Sequence, residues 1–206
     1  IAVAISGGSD STALLLLLLT KLSSHPRPPR VLALTVDHRL RPESAEESER
    51  VGALCRRLGV EHRTLVWGEQ KPSSGVAEAA RLARYRLLAK AALDYSAHVV
   101  LTGHTADDQA ETHAMRSQRG EGPGLAGIAP ATLFNGSVWF VRPLIGARRA
   151  DLRAYLRARG ESWIDDPSNQ TPTYDRARIR KALLAGGAEA MIAATFTAAA
   201  AREALS

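Results

Sequence analysis

Ile1-Ala2-Val3-Ala4-Ile5-Ser6-Gly7-Gly8-Ser9-Asp10-Ser11, running on through Thr12 and Ala13 into the leucines at 14–19, carries the architecture of the chain. Five apolar residues make a short buried strand, a glycine pair makes a tight turn, and an unbroken leucine run makes a buried helix. Where a strand passes through glycines into a helix, backbone N–H groups and the positive helix dipole face outward, and no Cβ keeps an anion from the main chain. Ser6, Ser9 and Ser11 add hydroxyl donors. No lysine follows the turn as it does in a Walker loop, which disfavours γ-phosphoryl transfer of the P-loop kind. A turn capped by the side chain of Ser9 or Asp10 is the plainer alternative. The leucine run is far shorter than the ~20 apolar residues a membrane span takes. Acidic Asp10 stands where a signal peptide has its basic leader.

The same alternation continues. Apolar, β-branched runs at Val31–Val36, His62–Val66 and Val99–Thr102 are separated by helical patterns at Ser11–Leu22, Glu43–Leu58 and Val76–Tyr95. This predicts an α/β fold, an open parallel sheet with helices on both faces. A helix over Ala106–Arg116 leads into glycines at 120, 122, 124 and 127, read as a mobile loop; a strand at Val138–Val141 and a helix at Ala150–Arg159 follow, with Gly160 at the helix C′ position. Residues 1–160 read as a nucleotide-binding domain. Residues 161–206 read as a small, mostly helical appendage, whose basic segment precedes an alanine-rich helix leaving the domain.

With 206 residues the chain can bury a full core, and 45% hydrophobic with 23% charged residues excludes a disordered or collagen-like chain. A single cysteine, Cys55, excludes an internal disulfide or a cysteine zinc cage, and its helical spacing with Val51, Leu54 and Leu58 places it in the core. The reading is cytoplasmic, without membrane attachment. A net charge of +6 points to an anionic partner such as a nucleotide or nucleic acid.

Val36-Asp37-His38-Arg39-Leu40-Arg41 follows the second strand, at the carboxyl edge where open α/β sheets bind ligands; a backbone edge here suits adenine, and a solvated basic turn is the alternative. In Gly103-His104-Thr105-Ala106-Asp107-Asp108-Gln109-Ala110-Glu111-Thr112, Asp107, Asp108 and Glu111 lie three, four and seven residues after His104, which predicts that all four share one face of a helix. Such a face could serve a metal, a cationic ligand or only the helix dipole. Paired carboxylates with an arginine nearby suit lysine, which has two ammonium groups and one carboxylate. Arg81 and Arg84, three apart on the helix before the Val99 strand, are available to supply the arginine, and an exposed charged helix face is the alternative.

Residues 6–11, SGGSDS, resemble the pyrophosphate loop of the N-type ATP pyrophosphatase superfamily, whose members cleave ATP to AMP and pyrophosphate while adenylating a substrate oxygen. With VDHRLR at 36–41, GHTADDQAET at 103–112 and DPSNQTPTYDRARIR at 166–180, the stretch from Ile1 to about Lys181 resembles the catalytic domain of the tRNA(Ile)-lysidine synthetase family. The resemblance implies ATP-dependent ligation of L-lysine to C2 of the wobble cytidine in tRNA(Ile) with a CAU anticodon, through an adenylated tRNA and with loss of pyrophosphate and AMP. It implies ATP and Mg2+ as cofactors. Ser6, Gly7, Gly8, Ser9, Asp10, Ser11 and Val36 would bind the nucleotide, with Asp10 on the metal. Asp10, Asp37, His104, Asp108 and Arg176 would be catalytic. Arg84, Asp108 and Glu111 would hold lysine, Asp107 the neighbouring nucleotide, and Arg178 and Arg180 the RNA. Arg148, Arg149, Arg153, Arg157 and Arg159 read as an RNA-facing cationic helix or a solvated face, and Trp163 or Tyr174 as a stacking platform or minor core. Further carboxy-terminal RNA-binding domains are expected beyond this stretch. A tRNA thiolase on the same scaffold and a non-catalytic nucleotide-binding module are the rival readings; the sequence gives no oligomeric state.

Overall fold

A computed structural model describes residues 1–40, 42–117, 127–165, 179 and 188–203. Among the described residues, six strands form one sheet in the order β3-β2-β1-β4-β6-β5: β1 (Ala2–Ala4), β2 (Leu32–Asp37), β3 (Glu61–Val66), β4 (Val99–Thr102), β5 (Ala131–Phe134) and β6 (Val138–Val141). All neighbours pair in parallel except β5 with β6. The helices are α1 (Ser9–Ser23), α2 (Ser44–Arg57), α3 (Val76–Asp94), α4 (Ala106–Ser117), α5 (Arg149–Ala158) and α6 (Ala188–Glu203).

Successive residues of β1 point to opposite faces, and both faces are dry. Ala2 and Ala4 join Leu32, Leu34, Val100 and Phe140 beneath Leu88, Ala89 and Ala92 of α3. Val3 and Ile5 meet Leu14 and Leu15 of α1 with Val51 and Cys55 of α2. An alternating pattern is therefore absent from β1, as burial on two sides requires. The leucine run of α1 has the same explanation. Leu14 and Leu15 face the sheet, while Ala13 and Leu16 pack against Leu152 and Leu156 of α5, so the helix is sandwiched. Among the described residues no helix is long and apolar enough to cross a membrane. Cys55 is fully buried, and that burial pushes its thiol up to about 11.

The predicted α/β architecture is the observed one, with two departures. β5 escaped the sequence reading although Asn135-Gly136 closes its hairpin with β6: both residues have positive φ, 47° and 66°, the conformation Asn-Gly turns favour. The alanine-rich α6 does not leave the domain but packs on α4, burying Thr195. Gly160 has φ +67°, and Glu161 N–H donates to Leu156 O at 3.0 Å, closing α5 as expected.

Candidate active site at the sheet switch point

β2 lies on one side of β1 and β4 on the other, so the chains leaving β1 and β4 open a crevice at the carboxyl edge. Gly103 marks how closely they meet: a Cβ there would stand 2.9 Å from Ser11 N and 3.0 Å from the Asp10 carbonyl carbon.

Gly8 is the N-cap of α1 and offers no side-chain hydrogen bond, so the capped-turn alternative does not hold. The serines instead organise the loop. Ser11 Oγ donates to Gly8 O and accepts from Ser6 N–H, and Ser9 Oγ donates to Asp10 Oδ1 at 2.9 Å. Gly7 has φ +83°, and a Cβ on it would fall 2.5 Å from Ile164 Cδ1. Ile164 N–H donates to Gly7 O at 2.9 Å, which seats the 163–165 segment on the loop.

α4 starts at Ala106, one residue after a reciprocal cap. Thr105 N–H and Oγ1 donate to Asp108 Oδ2 at 2.8 and 2.9 Å, and Asp108 N–H donates back to Thr105 Oγ1 at 3.4 Å. His104 consequently precedes the helix, and only Asp107, Asp108 and Glu111 of the anticipated four-residue face lie on it. Asp107 caps a different helix, accepting from Arg149 N–H at the start of α5 at 2.7 Å.

Arg149 is the centre of the site, and its role was not legible within a run of arginines. Its Nε donates to Asp10 Oδ2 at 2.9 Å, Nη2 to Asp108 Oδ1 at 3.2 Å and Nη1 to Glu111 Oε1 at 3.3 Å. Burial opposes the guanidinium's charge, but Asp108, Asp10 and Glu111 outweigh it and hold its pKa above the ordinary value. Glu111 is only 1% exposed. The phosphate loop, α4 and α5 are thus tied at one cation. The helical phase carried a signal: Arg149 and Arg153 share a stripe with the buried Leu152 and Leu156, so they face inward.

A second charge cluster lies beside the first. Arg84 of α3 has its pKa lowered by burial and by Arg81. Arg142, 4% exposed, donates to Ala129 O and to the Tyr85 hydroxyl, and its buried Nε has no hydrogen-bond partner among the described residues. His104 Nδ1 stands 3.0 Å from Thr102 Oγ1, and burial together with Arg142, Arg84 and Arg81 lowers its pKa to about 4 against the pull of Asp108. Its imidazole is neutral at neutral pH. Because the folded value lies below the ordinary 6.5, the unfolded chain binds more protons between those limits. Stability should fall as pH drops from 6.5 to about 4, by roughly 3 kcal/mol. Denaturant titrations at stepped pH check this, and H104Q should flatten that part of the profile.

The ladder of β1 with β2 stops at Ala4↔Leu34, while β2 continues with β3 to Asp37↔Val66. Val36 therefore keeps a main-chain edge towards the crevice. Asp37 is buried, and its Oδ1 accepts Arg39 N–H at 2.8 Å, so it shapes the following turn, where Arg39 has φ +50°. Trp163 is partly buried against α5. Arg176, Arg178, Arg180 and Tyr174 lie outside the described residues, as does most of the glycine-rich loop. Among the described residues no cluster of three metal-ligating side chains occurs. Asp10, at the mouth of the phosphate loop, would be the carboxylate to meet a magnesium ion that arrives on phosphate oxygens; its Oδ1 accepts from Ser9 and its Oδ2 from Arg149.

The family model of an ATP-binding PP-loop domain matches residues 1–186 and supports ATP use. A protein of Brucella anthropi named tRNA(Ile)-lysidine synthase is 50% identical over 193 residues, covering 90% of this chain and 42% of that protein. One of the same name from Mesorhizobium japonicum is 50% identical over 186 residues, 87% of this chain and 41% of its own length. The chain spans about two fifths of the length of these curated relatives. Among solved structures, the U34-tRNA thiolase NcsA of Methanococcus maripaludis, with its 4Fe-4S cluster, superposes with TM-score 0.79 over 99% of this chain and 71% of that one. At 14% identity this is a likeness of fold. With the phosphate loop, the switch-point crevice and a match over residues 1–186 in agreement, the chain belongs to the PP-loop domain family.

Proposed function

We propose that this chain performs the chemistry of a tRNA(Ile)-lysidine synthase: ATP-dependent joining of L-lysine to C2 of the wobble cytidine in CAU-anticodon tRNA(Ile). The observation that carries the reading is the gathering of Asp10, Asp108 and Glu111 around Arg149 beside the phosphate loop, which brings the carboxylates of α4 to the edge of an ATP site. The neighbouring Arg84 suits a carboxylate, so the two clusters together suit an amino acid with a side-chain ammonium. The 50% identity to curated relatives of that name supports the same choice.

Cytosine O2 is a poor leaving group. Its attack on the α-phosphorus of ATP forms an adenylate and expels pyrophosphate; the lysine ε-amine then forms the C2–N bond and AMP departs. Magnesium, held by Asp10 and phosphate oxygens, would neutralise charge on the polyphosphate. The helix N-terminus of α1 and the loop N–H groups face the same phosphates. An ε-ammonium with a reference pKa of about 10.4 must lose a proton to attack, and on this reading a carboxylate of α4, Glu111, accepts it. Asp108, with one oxygen on Thr105 and the other on Arg149, orients the pocket. His104, neutral, serves as a hydrogen-bonding group near the adenylate rather than as an acid.

Against the thiolase reading, the one thiol of this stretch is buried and has a raised pKa, the opposite of a reactive thiolate. Pyrophosphate release tests the reading against a nucleotide-binding module. With ATP and magnesium present, release should depend on CAU-anticodon tRNA and proceed without lysine, whereas AMP release should need lysine. Pyrophosphate release that ignores tRNA would contradict the proposal.

A further inference from the structure

The loop at Ser6–Ser11 contains no lysine or arginine and carries one negative charge, Asp10. In a Walker loop a lysine meets the β- and γ-phosphates; here a side chain that joins magnesium in that role has to reach the loop from another element. The packing of Leu152 and Leu156 on Ala13 and Leu16 turns the inward stripe of α5 towards the first turn of α1. Two arginines, one helical turn apart, occupy that stripe. Arg149 is committed to three carboxylates.

Arg153 is held differently. Its Nε stands 3.4 Å from Ser9 Oγ, at the limit of a hydrogen bond, and its Nη2 is 3.1 Å from Asp165 Oδ1. Both members of that ion pair are well exposed, 39% and 64%, so the pair is weak and readily exchanged for a phosphate. The guanidinium lies 5.6 Å from the centre of the Trp163 ring, whose Nε1 donates to the same Asp165 oxygen at 3.1 Å. Ile164 pins this segment to Gly7, so ring, carboxylate and loop keep one arrangement. Arg153 is therefore preoriented over the loop by contacts that cost little to release.

We infer that Arg153 supplies a side-chain cation to the pyrophosphate site, in contact with the β- and γ-phosphates of bound ATP. When an acceptor oxygen attacks, a bond to the α-phosphorus forms, the bond from α-phosphorus to the bridging oxygen breaks, and its electron pair leaves on pyrophosphate. Arg153 meets the charge that accumulates there. The assignment rests on the ATP reading of the loop and is independent of lysine and tRNA.

Calorimetric titration with Mg2+ and α,β-methylene-ATP, and separately with AMP, tests it on the whole chain. R153A should weaken the triphosphate analogue on the order of 10- to 100-fold while moving AMP less than about twofold. R153K should recover part of the loss. R157A removes the other guanidinium at the Trp163 ring, 5.6 Å away and one turn further from Ser9, and should leave the ratio unchanged. Equal losses for both ligands in R153A, an unchanged ratio in R153A, or the same fall in R157A would each overturn the assignment. If the ratio falls as stated but no lysine is ever joined to tRNA, the lysidine reading fails and the role of Arg153 stands.

Discussion

Replacing Arg149 with methionine should abolish adenylate formation and lower thermal stability by on the order of 10 °C, the largest effect of any single substitution outside the core. Methionine keeps most of the aliphatic volume and the N–H that Asp107 caps, so the change isolates the guanidinium. What it leaves is Asp10, Asp108 and Glu111 without their shared cation, in a site where Glu111 is 1% exposed. Removing one partner from a buried ion cluster typically costs about 3–5 kcal/mol, because the remaining charges stay desolvated. R149K should rescue stability only in part, since one ammonium cannot span three carboxylates that Nε, Nη1 and Nη2 reach in different directions. Calorimetry and pyrophosphate release check both. A methionine variant that melts within about 2 °C of the parent would show that the cluster is held by other groups.

The second large effect belongs to Gly103→Ala. Its φ is ordinary, so the backbone tolerates alanine, but the new Cβ would sit 2.9 Å from Ser11 N and 3.0 Å from the carbonyl of Asp10. Those are main-chain atoms of the first turn of α1, which cannot swing aside as a side chain can. The crevice must widen, moving the α4 carboxylates away from the phosphate loop. Stability should drop by about 1–3 kcal/mol, as overpacking does. Misplaced reacting groups matter more: adenylation should fall by on the order of 10-fold, with nucleotide affinity less affected. Alanine at Gly146, where the added Cβ meets no atom within 4 Å, is the control and should be silent.

The fold was legible because its signals are local. A dry strand, a glycine turn and a leucine helix follow one another within the first 19 residues, and sheet burial on both faces explains why β1 and α1 lack polar alternation. β5 was passed over although the Asn135-Gly136 turn announced it. The carboxylates of the site were legible by spacing, but spacing alone could not show that Thr105 and Asp108 cap each other and so leave His104 outside α4. Nor could it separate Arg149 from Arg148, Arg157 and Arg159, since a count of charges ignores which face of α5 each occupies. Pairing across 41 residues, from Asp108 to Arg149, is a tertiary fact, although the phase shared with Leu152 and Leu156 pointed to it.

Joining of lysine to a wobble cytidine is followed with labelled lysine. The chain is incubated at low salt with ATP, magnesium and a CAU-anticodon tRNA transcript, beside a control transcript with uridine at the wobble position; low salt strengthens phosphate contacts. Lysidine formation predicts acid-precipitable label in the first RNA only, lost when ATP is withheld. Label in both RNAs, or in neither while the first is shown to bind, contradicts it.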